Sequence, residues 1–299
     1  MRPFSAGESM RTIAHLSDLH FGSIDPAVCH ALADAVRAVR PDVVIVSGDM
    51  TQRARREEFA QAEAFLKTLP APQVVVPGNH DVPLYNLFQR AFRPLGRYKR
   101  YISPHLEPFF ADAEIAVAGI NTARALTFKD GRINKDQLTR VARRFADQAE
   151  GVTRIVVTHH PFEGRSEADD QGIVGRAGLA IRAFSKSRVD MILSGHLHLN
   201  RFSGSAARYV VEGYSALLIQ AGTAISRRRR REANSFNVIR IERPHIRLEC
   251  KAWDADKGFV TASIGTFRFG ASGWVPIGSV VLPEFVDAAE PVAVQTATS

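Results

Sequence analysis

Five short segments of this 299-residue chain end an apolar run on Asp, Asn or His. IAHLSDLH ends on Asp18 and His20, and VVIVSGD on Asp49. VVVPGNHD ends on Asn79, His80 and Asp81. RIVVTHH ends on His159 and His160, and MILSGHLH on His196 and His198. Seven of the ten histidines fall in these segments, and six of them stand where the apolar run ends. Carboxylate, amide oxygen and imidazole are hard-to-borderline ligands that suit Mn, Fe or Zn, and no thiolate accompanies them. A single Asp or His after a strand is ordinary polar capping. Together these residues exceed what one tetrahedral zinc needs, and two metals sharing a carboxylate would use them.

Chemistry at strand ends needs strands that stop side by side. In open α/β sheets, ligands bind outside the carboxyl ends of the strands. TIAHL, DVVIVSG, QVVVPG, AEIAVAGI, TRIVVTHH and VDMILSGH read as strands. Helical patterns lie between several of them. DPAVCHALADAVRAVR has Asp25 as N-cap and Pro26 at the first helical position; REEFAQAEAFLKTL and KDQLTRVARRFADQAE are the others. Such alternation predicts a buried, largely parallel core. After Asn200 the chain turns to ARYVVEG, ALLIQAGTA, NSFNVIRI and HIRLECKAW, strand-like runs that predict a second sheet packed on the first. In an extended segment, residues i and i+2 share a side, so Asp18/His20 and His196/His198 would each present two ligands to one cavity. Gly48, Gly78 and Gly195 would let the backbone turn sharply and approach the site closely.

The bulk composition is that of a globular protein, 45% hydrophobic and 23% charged. Lys and Arg number 39 against 31 Asp and Glu, a net charge of +8 that suits anionic ligands without choosing among them. Two cysteines, Cys29 and Cys250, argue against a disulfide framework and for a reducing compartment. No apolar run approaches the roughly 20 residues that span a bilayer. The opening MRPFSAGESM has no secretory core, so the cytoplasm is the expected location. The expected organisation is a disordered leader over 1–10, one domain over 11–281 and a flexible tail over 282–299.

In order and spacing, Asp18-Leu19-His20, Gly48-Asp49, Gly78-Asn79-His80-Asp81, His159 and Gly195-His196-Leu197-His198 resemble the five signature blocks of the calcineurin-like metallophosphoesterases. GNHDVP and SRRRRREANSFNVIRI are most similar to bacterial members of the cyclic-nucleotide phosphodiesterase type. The resemblance implies an α/β fold, a four-layer αββα sandwich of two mixed β-sheets flanked by helices. It implies two transition metal ions (Mn, Fe or Zn). Asp18, His20 and His198 would hold one, Asn79, His159 and His196 the other, and Asp49 both. It further implies phosphodiester hydrolysis by a metal-activated hydroxide, on 3′,5′-cyclic nucleotides or similar small diesters. In this scheme His80 protonates the leaving oxygen, Asp81 orients His80, and His160 stands behind the ligands or faces substrate. A homodimer is also implied.

Within the same superfamily, nucleotide-sugar or lipid diphosphatases and nucleases are the rival activities. The lipid A-pathway enzymes have Arg in place of His80. Nucleases usually carry further DNA-binding domains, so nucleic acid is not the expected partner. A non-catalytic scaffold would have lost ligands, and here all are present.

Two further stretches invite a role. In VPLYNLFQRAFRPLGRYKRYISPHLEPFF, Leu84, Leu87, Phe88, Ala91 and Phe92 follow helical spacing and are expected to pack, while Tyr85 is a candidate for substrate contact. Arg227 to Arg231 form a basic run between two strands, read here as a solvated loop.

Overall fold

Strand β1 (Arg11–Leu16) sets the layering, because its side chains alternate between two faces. Ile13 enters one apolar cluster, Ala14 and Leu16 another. The computed structural model describes residues 10–281 apart from 126, 128, 167, 168 and 228–231. The leader expected over 1–10 falls, but for Met10, outside the described residues, as do the tail over 282–299 and Arg228 to Arg231.

From β1 the chain runs through α1 (Pro26–Ala38), β2 (Val43–Val46), α2 (Arg56–Leu66) and β3 (Gln73–Val75). Short helices α3 (Leu87–Phe92) and α4 (Gly96–Tyr101) lead to β4 (Phe109–Ala111) and β5 (Ile115–Gly119). Then come α5 (Lys135–Ala146), β6 (Thr153–Val157), α6 (Ala177–Lys186) and β7 (Met191–Ser194). The remainder is β8 (Arg201–Gly204), β9 (Leu217–Gln220), β10 (Ser235–Glu242), β11 (His245–Asp254), β12 (Gly258–Gly270) and β13 (Gly273–Val281). Asp25 caps α1, its side chain accepting from the Ala27 amide at 3.1 Å, with Pro26 at the first position as expected.

Two mixed sheets result, ordered β13-β12-β11-β10-β1-β2-β3 and β4-β5-β6-β7-β9-β8. Between them lie Ile13, Ile45, Val117, Ile155, Leu193 and Ile219. On the outer face of the first sheet, Leu32 and Val36 of α1 and Phe59 and Phe65 of α2 meet Leu16, Val44 and Val46. On the outer face of the second, Val141 and Phe145 of α5 and Ile181 and Phe184 of α6 meet Ala118, Val156 and Ile192. The result is the four-layer αββα sandwich. Each fully buried Leu, Ile or Phe contributes roughly 1.5–3 kcal/mol.

The strands after Asn200 do not make a sheet of their own, contrary to the sequence expectation. β8 and β9 join β7, while β10 pairs antiparallel with β1 from Arg11↔Ile241 to His15↔Asn237, so β10–β13 extend the first sheet. ARYVVEG is no strand either. Val210 is 93% exposed, Tyr209 and Val211 pack singly against the core under α6, and only a Val211–Tyr214 bridge forms there. Helix α6 escaped the sequence reading for want of a start signal. Its N-cap, Arg176, has φ +69° and makes no side-chain capping bond. Among the described residues no helix is long and apolar enough to cross a membrane.

Candidate metal centre

Beyond the carboxyl ends of β1, β2, β3, β6 and β7, the seven predicted ligands come together as two groups. In the first, His20 Nε2 and His198 Nε2 lie 3.2 Å apart, and Asp18 Oδ1 is 3.5 and 3.2 Å from them. In the second, His159 Nε2 lies 3.0 Å from Asn79 Oδ1 and 3.2 Å from His196 Nδ1. Asp49 Oδ2 belongs to both, 3.3 Å from His159 Nε2 and 3.8 Å from His20 Nε2.

Each carboxylate divides its labour. Asp18 Oδ2 accepts from Ser17 Oγ at 2.6 Å and from the His196 amide at 2.9 Å, while Asp49 Oδ1 accepts from the His80 amide at 2.8 Å. The other oxygen of each faces imidazoles. Asp18 Oδ1 is buried and accepts no hydrogen bond among the described residues. A buried carboxylate oxygen without a donor is costly unless a cation satisfies it. These residues therefore fit a divalent metal in donor type and in their unmet demand. A single oxygen of Asp49, Oδ2, faces both groups.

The backbone reaches this geometry through left-handed turns, not the extended alternation expected from sequence. Asp18, His20, Asp49, His196 and His198 have φ of +52°, +51°, +53°, +74° and +58°. Such conformations cost about 1–3 kcal/mol each and concentrate where function over-determines them. Of the three glycines, only Gly48 (φ +99°) has a left-handed torsion. Gly78 and Gly195 are required for closeness: a Cβ at Gly78 would overlap Asp49 Oδ1 and its backbone nitrogen, and one at Gly195 would overlap Ser17 Oγ.

The family model for calcineurin-like phosphoesterases matches residues 11–200. The chain belongs to the calcineurin-like phosphoesterase family. Among curated relatives, the 3′,5′-cyclic adenosine monophosphate phosphodiesterase CpdA of Escherichia coli K12 is 26% identical over 208 residues, 64% of this chain and 71% of that protein. The glycerophosphodiester phosphodiesterase GpdQ of Enterobacter lignolyticus is 40% identical over 82 residues, 23% of this chain and 29% of the relative. In fold, the phosphoesterase resembles a yellow lupin purple acid phosphatase (TM-score 0.64, 12% identity), covering 86% of this chain but about half, 53%, of the lupin chain. It also resembles a dimetal phosphatase from Danio rerio (TM-score 0.59, 13% identity, 84% and 98% of the two chains). The phosphoesterase is thus a metal-dependent enzyme of a family that uses a dinuclear centre.

Backbone carbonyls, invisible to motif reading, set the imidazoles of the phosphoesterase. A carbonyl only accepts, so Ser47 O at 2.8 Å accepts a hydrogen bond from His159 Nδ1–H and turns Nε2 toward Asn79 and Asp49. Thr51 O does the same for His20 Nδ1 at 3.4 Å. Gln52 O does so for His80 Nδ1 at 2.8 Å. The expectation that Asp81 orients His80 is therefore corrected. Asp81 is buried and accepts from the amides of Gly78 (2.9 Å), Thr51 (3.0 Å) and Met50 (3.2 Å) and from Thr51 Oγ1 (3.0 Å). It holds the loop that carries Asn79 and His80. Burial, and then the Asp49 charge, push its carboxyl up to about 6 in spite of those donors.

His160 is not among the residues lining the cleft over the centre. It is buried, and its Nε2 donates to Lys129 O at 2.9 Å, so Nδ1 accepts from Thr122 Oγ1 at 2.8 Å. Although its ring lies 4.6 Å from that of His196, both of its nitrogens are engaged, Nε2 in pinning Lys129 and Nδ1 with Thr122. Burial, reinforced by His196 and His159, holds it neutral, well below the ordinary imidazole value. His196 is pushed down to about 3 by burial and then by His159. For His159, burial is outweighed by Asp49, which raises it to about 9. Burial would raise both Asp49 and Asp18, yet the surrounding imidazoles hold both below the usual carboxylate range.

A cleft of about 660 Å³ opens over the centre. Asp49, Asn79, His80, His196 and His198 line it, and its outer walls mix Lys129 and Arg165 with Asp130, Asp169 and Asp170. Tyr85 is not among the lining residues. A larger cleft of about 1010 Å³, lined by Arg154, Asp190 and Arg243, lies at the opposite, amino ends of β6 and β7 and has no part in this centre.

Proposed function

We propose that the phosphoesterase hydrolyses small phosphodiesters, with 3′,5′-cyclic nucleotides as its substrate class. Asp18, His20 and His198 hold one metal, Asn79, His159 and His196 a second, and Asp49 both. The observation that carries this reading is Asp49 Oδ2, a single buried oxygen within 3.3 and 3.8 Å of an imidazole from each group. Bound divalent cations acidify water toward neutral pH and offset charge on phosphate oxygens. Lys129 and Arg165 stand in reach of an anionic substrate in the cleft, among Asp130, Asp169 and Asp170 on the same walls. His80 lines the cleft, and its Nδ1 proton is committed to Gln52 O, so Nε2 is the nitrogen that delivers a proton to the leaving oxygen. Similarity to the E. coli cyclic-nucleotide enzyme over 71% of that relative's length supports the substrate class.

The test is a Mn-supplemented panel of cyclic nucleotides, glycerophosphodiesters, diphosphates, single-stranded DNA, an aryl diester and an aryl monoester, with Asp49→Asn as control. Cyclic nucleotides should give the highest kcat/KM. Preference for a monoester over every diester would overturn the reaction class, and preference for a diphosphate the substrate class.

A further inference from the structure

We propose that α3 and the segment after it, residues 84–100, form a docking surface for an anionic lipid bilayer. The sequence predicts that the apolar residues of this stretch pack inward. The structure turns three aromatic rings outward instead: Tyr85, Phe88 and Phe92 are 73%, 73% and 72% exposed. Phe88 and Phe92 pack against each other as a tilted pair, with ring centroids 4.8 Å apart. The helix is fastened from beneath by Arg90, which donates to Pro83 O at 3.1 Å and Thr127 O at 2.6 Å. The outward rings are thus a fixed feature of the surface.

Charge selects the partner. Between Asp81 and Glu107 the chain has Arg90, Arg93, Arg97, Lys99 and Arg100 and no acidic residue. Arg93, Lys99 and Arg100 are exposed. Beside Phe92 a groove of about 490 Å³ is lined by Val82, Leu95 and Ala123, with Arg93, Lys99 and Arg124 among its walls. Aromatic rings beside cations match a headgroup interface, where rings sit at the acyl boundary and Lys and Arg meet lipid phosphates. An acidic protein would answer the cations alone; the apolar groove opening among them fits an acyl chain. Arg90 also ties this surface to the 127–131 loop, whose Lys129, Asp130 and Gly131 wall the catalytic cleft. Docking would therefore set the cleft beside the bilayer, whichever diester it hydrolyses.

The test is co-sedimentation of the full chain with vesicles of phosphatidylcholine alone and of phosphatidylcholine mixed in equal parts with phosphatidylglycerol. Binding to the mixed vesicles should be at least about tenfold tighter, and should weaken as salt rises. Phe88→Ser/Phe92→Ser and Arg93→Ser/Lys99→Ser/Arg100→Ser should each lose about tenfold or more of that binding while retaining turnover of a soluble aryl diester. Phe88→Trp keeps an apolar ring, and its emission should shift blue with the mixed vesicles. No binding by the native chain, or equal binding by both Ser variants, would overturn the proposal. A native dimer that Phe88→Ser/Phe92→Ser converts to monomer, with no vesicle binding, would give the surface to a second copy instead. Free glycerol phosphate that competes as well as vesicles would reduce it to a phosphate subsite.

Discussion

The backbone amide of His80 donates to Asp49 Oδ1 at 2.8 Å, and this bond turns Asp49 Oδ2 toward His159 on one side and His20 on the other. One carboxylate is thus positioned by one oxygen and shared through the second. Asp49→Asn keeps the shape and removes the charge. The fold should persist by circular dichroism, bound metal should drop below one per chain, and turnover should fall by about 10³ or more. Full metal content in this variant would deny Asp49 its shared role.

The two groups should empty separately. His198 lies 3.2 Å from both Asp18 Oδ1 and His20 Nε2, whereas His196 Nδ1 lies 3.2 Å from His159 Nε2. His198→Ala should weaken mainly the first metal and His196→Ala mainly the second, each by about 10–100-fold in affinity or more. Calorimetric titration resolves the two steps. Loss of the same step in both variants would merge the groups into one.

His80 and Asp81 are neighbours with different work. His80→Ala should retain its metals and lose about 10²–10⁴ in turnover, the usual scale for a proton donor. Asp81→Ala strips the acceptor from the amides of Gly78, Thr51 and Met50. It should cost about 1–3 kcal/mol of stability in urea melts, since buried donors are left unpaired, and weaken metal binding as well. A fully stable, metal-replete Asp81→Ala protein would remove the loop-holding role.

A methyl group at Gly195 should suffice to disable the centre, because it would overlap Ser17 Oγ and crowd Asp18 Oδ2. Gly195→Ala should lose the metal held by Asp18 first. The same substitution at Gly151, where a Cβ meets nothing within 4 Å but φ is +92°, costs only backbone strain and should leave metal content untouched. Equal metal loss at both positions would point to strain in place of overlap.

Acid should loosen the contact between the sheets. Arg11 Nε on β1 donates to Asp112 Oδ2 at 2.7 Å, beside β4 in the other sheet. Burial would raise the Asp112 carboxyl, but the amides of Ile115 and Glu114 and the Arg11 guanidinium outweigh it and hold it below the ordinary value. A depressed folded-state pKa contributes stability that is complete above the unfolded carboxylate value of about 4 and disappears as pH falls through the folded one. Urea midpoints taken from neutral to acid pH should therefore fall less steeply for Asp112→Asn than for the native chain. Parallel curves would assign the acid limb elsewhere.

The residues that gather in the candidate centre were legible in the sequence because chemistry restricts side-chain types: only certain residues can ligate, and strand ends are where such residues would stand. The Asp25 cap and Pro26 start of α1 were legible for the same reason. What escaped was carried by groups every residue has. The carbonyls of Ser47, Thr51, Gln52 and Lys129 fix four imidazoles, yet no side chain announces them. The left-handed torsions at Asp18 and His196 are equally silent, since Asp and His also occur in extended backbone. The hairpin strands β10–β13 show alternation, but alternation does not say which sheet edge receives them.

The left-handed torsions at Asp18, His20, Asp49, His196 and His198 have a consequence for directed evolution. Those positions sit where glycine or asparagine would be more comfortable. A library of this gene selected for heat resistance alone should accumulate glycine and asparagine there and become inert as it hardens. Selection for turnover should hold all five fixed and find its gains in the outer helices. Arg40, Ala54, Arg176 and Arg188 are left-handed too but carry no ligand atoms for the centre, so it is torsional load combined with ligand-type side chains that marks where durability and metal binding would compete.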